Sequence, residues 1–213
     1  MVKKYQGMLK IYDVEILDKK KINITRKKTK KTQILLCDTH RRIDDFIHKI
    51  KYRKNGKYED IPHFVISKLG VAYQIFDTKY YSNTFNDDKV DKKQIKIAIE
   101  NLGWLNKNTI TGFLFNWIGD IYRSEPYIKS WRNRHYWDRY GDTQLKVLKE
   151  LCDSLIEEHG ITNNFVGTNG YFNNASNFNG IVCKSNFSDI YTDINPSFNF
   201  KIFTEHEQTI HGV

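Results

Sequence analysis

"GIVCKSNFSDIYTDINPSFNF", residues 180–200, joins an apolar run, a polar loop and an aromatic-rich turn. The run "GIVCK" has the length and β-branched character of a short buried strand. It carries Cys183 near its end, Asp193 stands ten residues later, and "NPSF" then leads into Phe198 and Phe200. In open α/β sheets the C-terminal ends of strands and the loops after them are where sites collect. The stretch is therefore either an ordinary strand, loop and C-terminal helix, or part of a metal site, since thiolate and carboxylate both ligate zinc. The partners that decide between these must come from elsewhere in the chain.

Working outward, "TQILLCDT" (residues 32–39) reads as another short buried strand. "DDFIHKIKYR" (44–53) sets Phe46, Ile47 and Ile50 at helical spacing. "HFVIS" and "VAYQIF" flank a "KLG" turn and predict a hairpin, and "QIKIAIENLG" predicts a strand ending at Glu100. The clearest helix is "DTQLKVLKELCDSLIEEHG", with Asp142 or Thr143 as cap and Gly160 as stop. Its apolar face is Leu145, Leu148, Leu151, Cys152 and Leu155. An Asn-rich loop precedes "GIVCK". Strands alternating with helices, plus one hairpin, predict a single α/β domain with a central mixed β-sheet flanked by helices. The expected organisation is an N-terminal strand and basic segment (1–31), the main domain (32–205) and a tail (206–213).

The 213 residues are enough for one substantial core, and 13 Tyr, 13 Phe and 4 Trp supply the apolar area. The net charge of +9 favours polyanionic partners. Much of it lies in "DKKKINITRKKTKK" (18–31), read as a solvated arm or as a contact for anionic polymers, nucleic acid included. Three cysteines without framework spacing argue against a disulfide scaffold. No apolar run is long enough to span a bilayer. The opening residues lack the apolar core of a signal peptide, so synthesis in a reducing cytoplasm is expected.

Cys37, Glu100, Cys183 and Asp193 thus fall at or after predicted strand ends. The order of these pieces resembles the type 2 N-acetylmuramoyl-L-alanine amidases, a family that includes phage lysozymes of the amidase kind and peptidoglycan-recognition proteins. The resemblance runs from about Ile34 to Phe203. It rests on "ILLCDT", on "HFVISKLGVAYQIFD" with His63, Gly70 and Asp77, and on "IAIENLG" with Glu100. It continues through "DTQLKVLKELC" and the ten-residue step to Asp193, Pro196 and Phe198. The departures fall on the chemistry. Two family zinc histidines correspond to Cys37 and Cys183, the lysine two residues before the zinc aspartate is Tyr191, and the Pro-Gly pair is Ile194 and Asn195.

The resemblance implies an amidase fold that cleaves the lactyl–L-alanine amide of bacterial peptidoglycan. It implies zinc on Cys37, Cys183 and Asp193, Glu100 as general base and then acid, and His63, Tyr191 and Thr192 beside the substrate. Two thiolates and a carboxylate would make that zinc site anionic, with a bound water less acidic than in efficient zinc hydrolases. The other reading is that the metal is lost, both cysteines fill space, and the fold serves as a wall-binding or virion structural module. His40, three residues after Cys37, offers a substitute imidazole. "WRNRHYWDRYGD" (131–142) offers Arg, Trp and Tyr for stacking on sugars or single strands, or for pinning the long segment before it onto the domain. The implied setting is a phage lysin or a virion-associated protein, acting at the wall and meeting other virion proteins.

Overall fold

The computed structural model describes residues 3–4, 10–13 and 22–204. Its elements in chain order are β1 (Lys3–Lys4), β2 (Lys10–Asp13), β3 (Gln33–Asp38), helix α1 (Ile43–Tyr52), β4 (Phe64–Ile66) and β5 (Ala72–Gln74). A short helix α2 (Asp88–Asp91) leads to β6 (Gln94–Ile99). Five strands follow: β7 (Trp104–Lys107), β8 (Leu114–Phe115), β9 (Ile121–Tyr122), β10 (Tyr127–Trp131) and β11 (Arg134–Trp137). The long helix α3 (Asp142–His159) and β12 (Gly180–Cys183) complete the set.

The main sheet has the order β1-β2-β5-β4-β6-β3-β12. β4, β6, β3 and β12 run parallel, and β5 returns antiparallel to β4, so the sheet is mixed as expected. Its central strands β3 and β6 are apolar in both pleats because helices cover both faces. On one face Ile34, Leu36, Ile97 and Ile99 pack with Leu145, Leu148, Leu151, Cys152 and Leu155 of α3. On the other, Val65 and Ala98 meet Phe46, Ile47 and Ile50 of α1. Both helices bury the stripes that their spacing predicts.

Three details differ from the sequence expectations. The cap of α3 is Gly141, not Asp142 or Thr143; Gln144 instead ties the helix start to the sheet, its amide donating to the carbonyls of Ser67 (3.1 Å) and Glu100 (3.0 Å). Residues 104–137 form a second, wholly antiparallel sheet, β10-β11-β7-β8-β9. Trp137 anchors it, fully buried, with its indole N–H donating to the Lys129 carbonyl at 2.8 Å.

The described part of the basic run, residues 22–31, is not a free arm. Ile22 sits in the α1-side core, Thr25 bridges Tyr81, and the buried Lys31 ammonium donates to the Tyr80 (2.7 Å) and Lys92 (3.0 Å) carbonyls. Burial lowers the Lys31 pKa to about 7. The expected tail at 206–213 lies outside the described residues. Among the described residues no helix is long and apolar enough to cross a membrane.

Candidate functional site

The parallel strands β3, β6 and β12 end at one edge of the sheet, and a cavity of about 270 Å³ opens there. Cys37 and Asp38 from β3, Lys184 just after β12, and Thr192 and Asp193 from the following turn line it. Aromatic rings at Tyr58, Trp104 and Trp117, cations at Arg41, Lys49 and Arg53, and His40 and Asp60 form more of its wall.

Asp193 is the centre of this site. The turn that carries it is braced from below. Asn195 is fully buried and donates to Asn101 Oδ1 (2.9 Å) and to the Asp138 carbonyl (3.1 Å). The Tyr140 hydroxyl accepts from the Asn195 N–H (3.1 Å) and donates to Asp38 Oδ1 (2.6 Å). So held, Asp193 accepts from the Asp38 N–H through Oδ1 (2.9 Å) and meets His40 Nε2 through Oδ2 (3.3 Å). Burial alone would raise its pKa, yet His40 and Lys184 together hold the carboxyl below the usual carboxylate range. Asp38 goes the other way: burial raises its pKa to about 8, against the pull of His40.

His40 is placed by its backbone. It has a left-handed φ of 55°, its carbonyl accepts from the Trp117 indole (2.6 Å), and its ring lies against Gly103. A Cβ at Gly103 would stand 2.5 Å from His40 Nδ1, so only glycine leaves room for this ring. Burial disfavours the imidazolium, but Asp193 raises the His40 pKa overall. The substitute imidazole named from the sequence is thus present, bound to the aspartate.

The two cysteines named from the sequence are not brought together. β12 pairs with β3 so that Cys183 lies beside Leu36. Both face α3 within the apolar core, and Cys183 is fully buried. Cys37 is one residue further along β3, on the opposite pleat, packed toward α1 with its thiol 3.6 Å from the Ile97 carbonyl. Burial pushes both thiols well above their ordinary pKa. The residue beyond Cys183 that reaches the cavity on the Cys37 side is Lys184. Its ammonium pairs with Asp60 Oδ2 at 3.1 Å and lies 5.2 Å from the Tyr191 ring centre.

Three other expected residues have structural partners. Glu100 accepts from the Ile43 N–H (3.1 Å) and the Lys68 N–H (2.7 Å), capping α1 and fixing the β4–β5 turn. His63 is fully buried; Nδ1 accepts from the Lys96 N–H (2.9 Å), which leaves Nε2–H to donate to the Tyr80 carbonyl (3.0 Å). Tyr191 packs against Phe85 and Lys184, while Thr192 does line the cavity.

A catalytic zinc needs three protein donors converging on one point with a fourth position open. Among the described residues no group of three His, Cys, Asp or Glu side chains is disposed to hold a metal ion. Cys37 and Cys183 face opposite sides of the sheet, both Asp193 oxygens have partners, and an ammonium stands beside them. The donor set does not fit the zinc that the resemblance implies. Lys184, Asp60 and the Trp104–Trp117 wall were not named from the sequence. For Lys184 the deciding fact is the register of β12 on β3, which sets Cys183 beside Leu36 and is not written in either segment alone.

No family model and no curated protein match this chain. Among solved structures it is similar to the endolysin N-acetylmuramoyl-L-alanine amidase LysCS from Clostridium intestinale URNW. That likeness has 18% identity, covers 74% of this chain and 80% of that one, and has a TM-score of 0.44. It is also similar to the N-acetylmuramyl-L-alanine amidase AmiD from E. coli, solved with an anhydro-muramyl peptide substrate (12% identity, 63% and 45% covered, TM-score 0.43). A third likeness is to Drosophila peptidoglycan recognition protein SD (13% identity, 64% and 66% covered, TM-score 0.37). The chain spans less than half the length of AmiD and about two thirds of the Drosophila protein. At this distance no residue's role passes from them to this chain.

Proposed function

We propose that this chain is a peptidoglycan-directed protein of the amidase type that seats a wall muropeptide in the Asp193 cavity. The observation that carries the proposal is the make-up of that cavity at the strand ends. The exposed Trp117 and the half-buried Trp104 offer ring surface to sugars, and Arg41, Lys49 and Arg53 offer charge to stem-peptide carboxylates. The order of motifs along the sequence points to the same ligand.

Cleavage of the lactyl–L-alanine amide is the reaction that the resemblance implies. In this cavity it would rest on His40, the imidazole on its wall; Nδ1 packs on Gly103, so the ring would take a proton from water through Nε2 once that nitrogen leaves Asp193. Since the His40 pKa is raised, its proton-accepting form gains as pH rises above the ordinary histidine value of 6.5, and turnover would rise with it. Recognition without cleavage is the second reading. The partners of Asp193 favour it, because each oxygen is already engaged, one by the Asp38 N–H and one by His40, and among the described residues no group of three donors surrounds it.

Co-sedimentation of the full chain with purified walls tests the shared claim: wild type should pellet, and Trp117→Ala should pellet several-fold less. New L-alanine amino termini, counted by mass spectrometry of the supernatant, report cleavage. Wall binding with no new termini between pH 6 and 9 selects recognition alone. Absence of wall binding in low salt rejects both readings.

A further inference from the structure

We infer that the Lys184 ammonium is the built-in cation of this site, standing where a divalent metal ion would otherwise balance Asp193. This deepens the amidase-type reading and rests on it only for the place where a metal would be expected. Lys184 leaves the end of β12 one residue past Cys183, with its side chain 15% exposed. It pairs with Asp60 at 3.1 Å and lines the same cavity as Asp193 and Cys37, where the Asp193 carboxylate favours its charged form.

The two carboxylates have cationic partners without a metal. Asp60 pairs with Lys184 and Asp193 with His40, and Arg41, Lys49 and Arg53 on the same wall add further positive charge. Adding a dication beside a fixed ammonium would set like charges a few ångströms apart, and the mutual repulsion opposes metal binding. Removing Lys184 deletes the cation paired with Asp60. Two carboxylates would then face a partly buried space with one imidazole and the Cys37 thiol beside them, a donor chemistry that suits zinc.

The test measures metal directly on the full chain. Wild type is soaked in zinc, dialysed and analysed by elemental mass spectrometry; it should retain well under one equivalent, and its thermal midpoint should not move with zinc or chelator. Lys184→His exchanges the cation for a ligand and should gain about one equivalent of zinc, with a thermal midpoint that now rises with zinc. Adding Cys37→Ser to Lys184→His should abolish that gain. Lys184→Ala, which only deletes the cation, should bind zinc more tightly than wild type. Wild type that holds about one equivalent of zinc after dialysis overturns the inference. So do folded Lys184 variants that take up no more zinc than wild type. Wall binding is scored separately: its loss with wild type still metal-free refutes the peptidoglycan reading and leaves this inference standing.

Discussion

His63 shows how a single buried group ties stability to pH. Its ring is fully buried with both nitrogens engaged, and burial holds its pKa well below 6.5, with Lys31 adding to the effect. The folded state therefore keeps His63 neutral while the unfolded chain protonates it. With the folded pKa depressed, its contribution is complete above 6.5 and is lost as pH falls below that value. One proton sets an upper slope of about 1.4 kcal/mol per pH unit. Urea unfolding followed from pH 7.5 to 5.5 should show this decline. His63→Gln, which can still accept from the Lys96 N–H and donate to the Tyr80 carbonyl, should flatten it. An unchanged slope in the variant would assign the decline to other groups.

At the scale of elements, the start of α3 is fixed by a side chain that a simple capping rule overlooks. Gln144 is fully buried and its amide serves carbonyls at the ends of both β4 and β6. Gln144→Ala takes its donor from the Glu100 carbonyl, while the Ile66 and Ser67 carbonyls keep the Glu100 and Gly70 N–H groups, and should destabilise by about 1–3 kcal/mol. Asp142, exposed in the first turn, acts only through the helix dipole, so Asp142→Ala should cost about 0.3–1 kcal/mol. Thermal unfolding of the two variants side by side ranks them. The reverse order would mean that Asp142 caps the helix after all.

For the whole molecule, the charge of +9 is the property most relevant to an anionic wall. Part of it is already spent inside the fold, as Lys31 and Lys96 are buried on carbonyls and on Asp91. The cations at the cavity, Arg41, Lys49 and Arg53, lie instead against Trp117 and Tyr58 rings at 4.6–5.5 Å. If this surface draws the protein to walls, pelleting with them should fall steeply as salt rises from 50 to 500 mM, because the screening length drops from over 10 Å to a few ångströms. Pelleting that is insensitive to salt would leave the aromatic faces as the whole of the attraction.

The sequence by itself determined the order of elements, the mixed sheet and both helix faces. These follow from apolar period and from glycine stops, such as Gly160 at a left-handed φ of 62°, which are local properties of the chain. The second sheet was not legible, since β8 and β9 are two-residue strands without an apolar alternation to betray them. For the site, the sequence located Asp193 and its turn and offered His40 as a spare imidazole. Which neighbours they meet was a tertiary decision. Cys183 at the end of β12 turns into the core and Lys184, one residue past the strand, turns into the cavity, because successive residues of an extended chain face opposite sides. Glu100 and His63 read as chemistry in one dimension and became structure in three, because backbone groups from distant segments reach their polar atoms first.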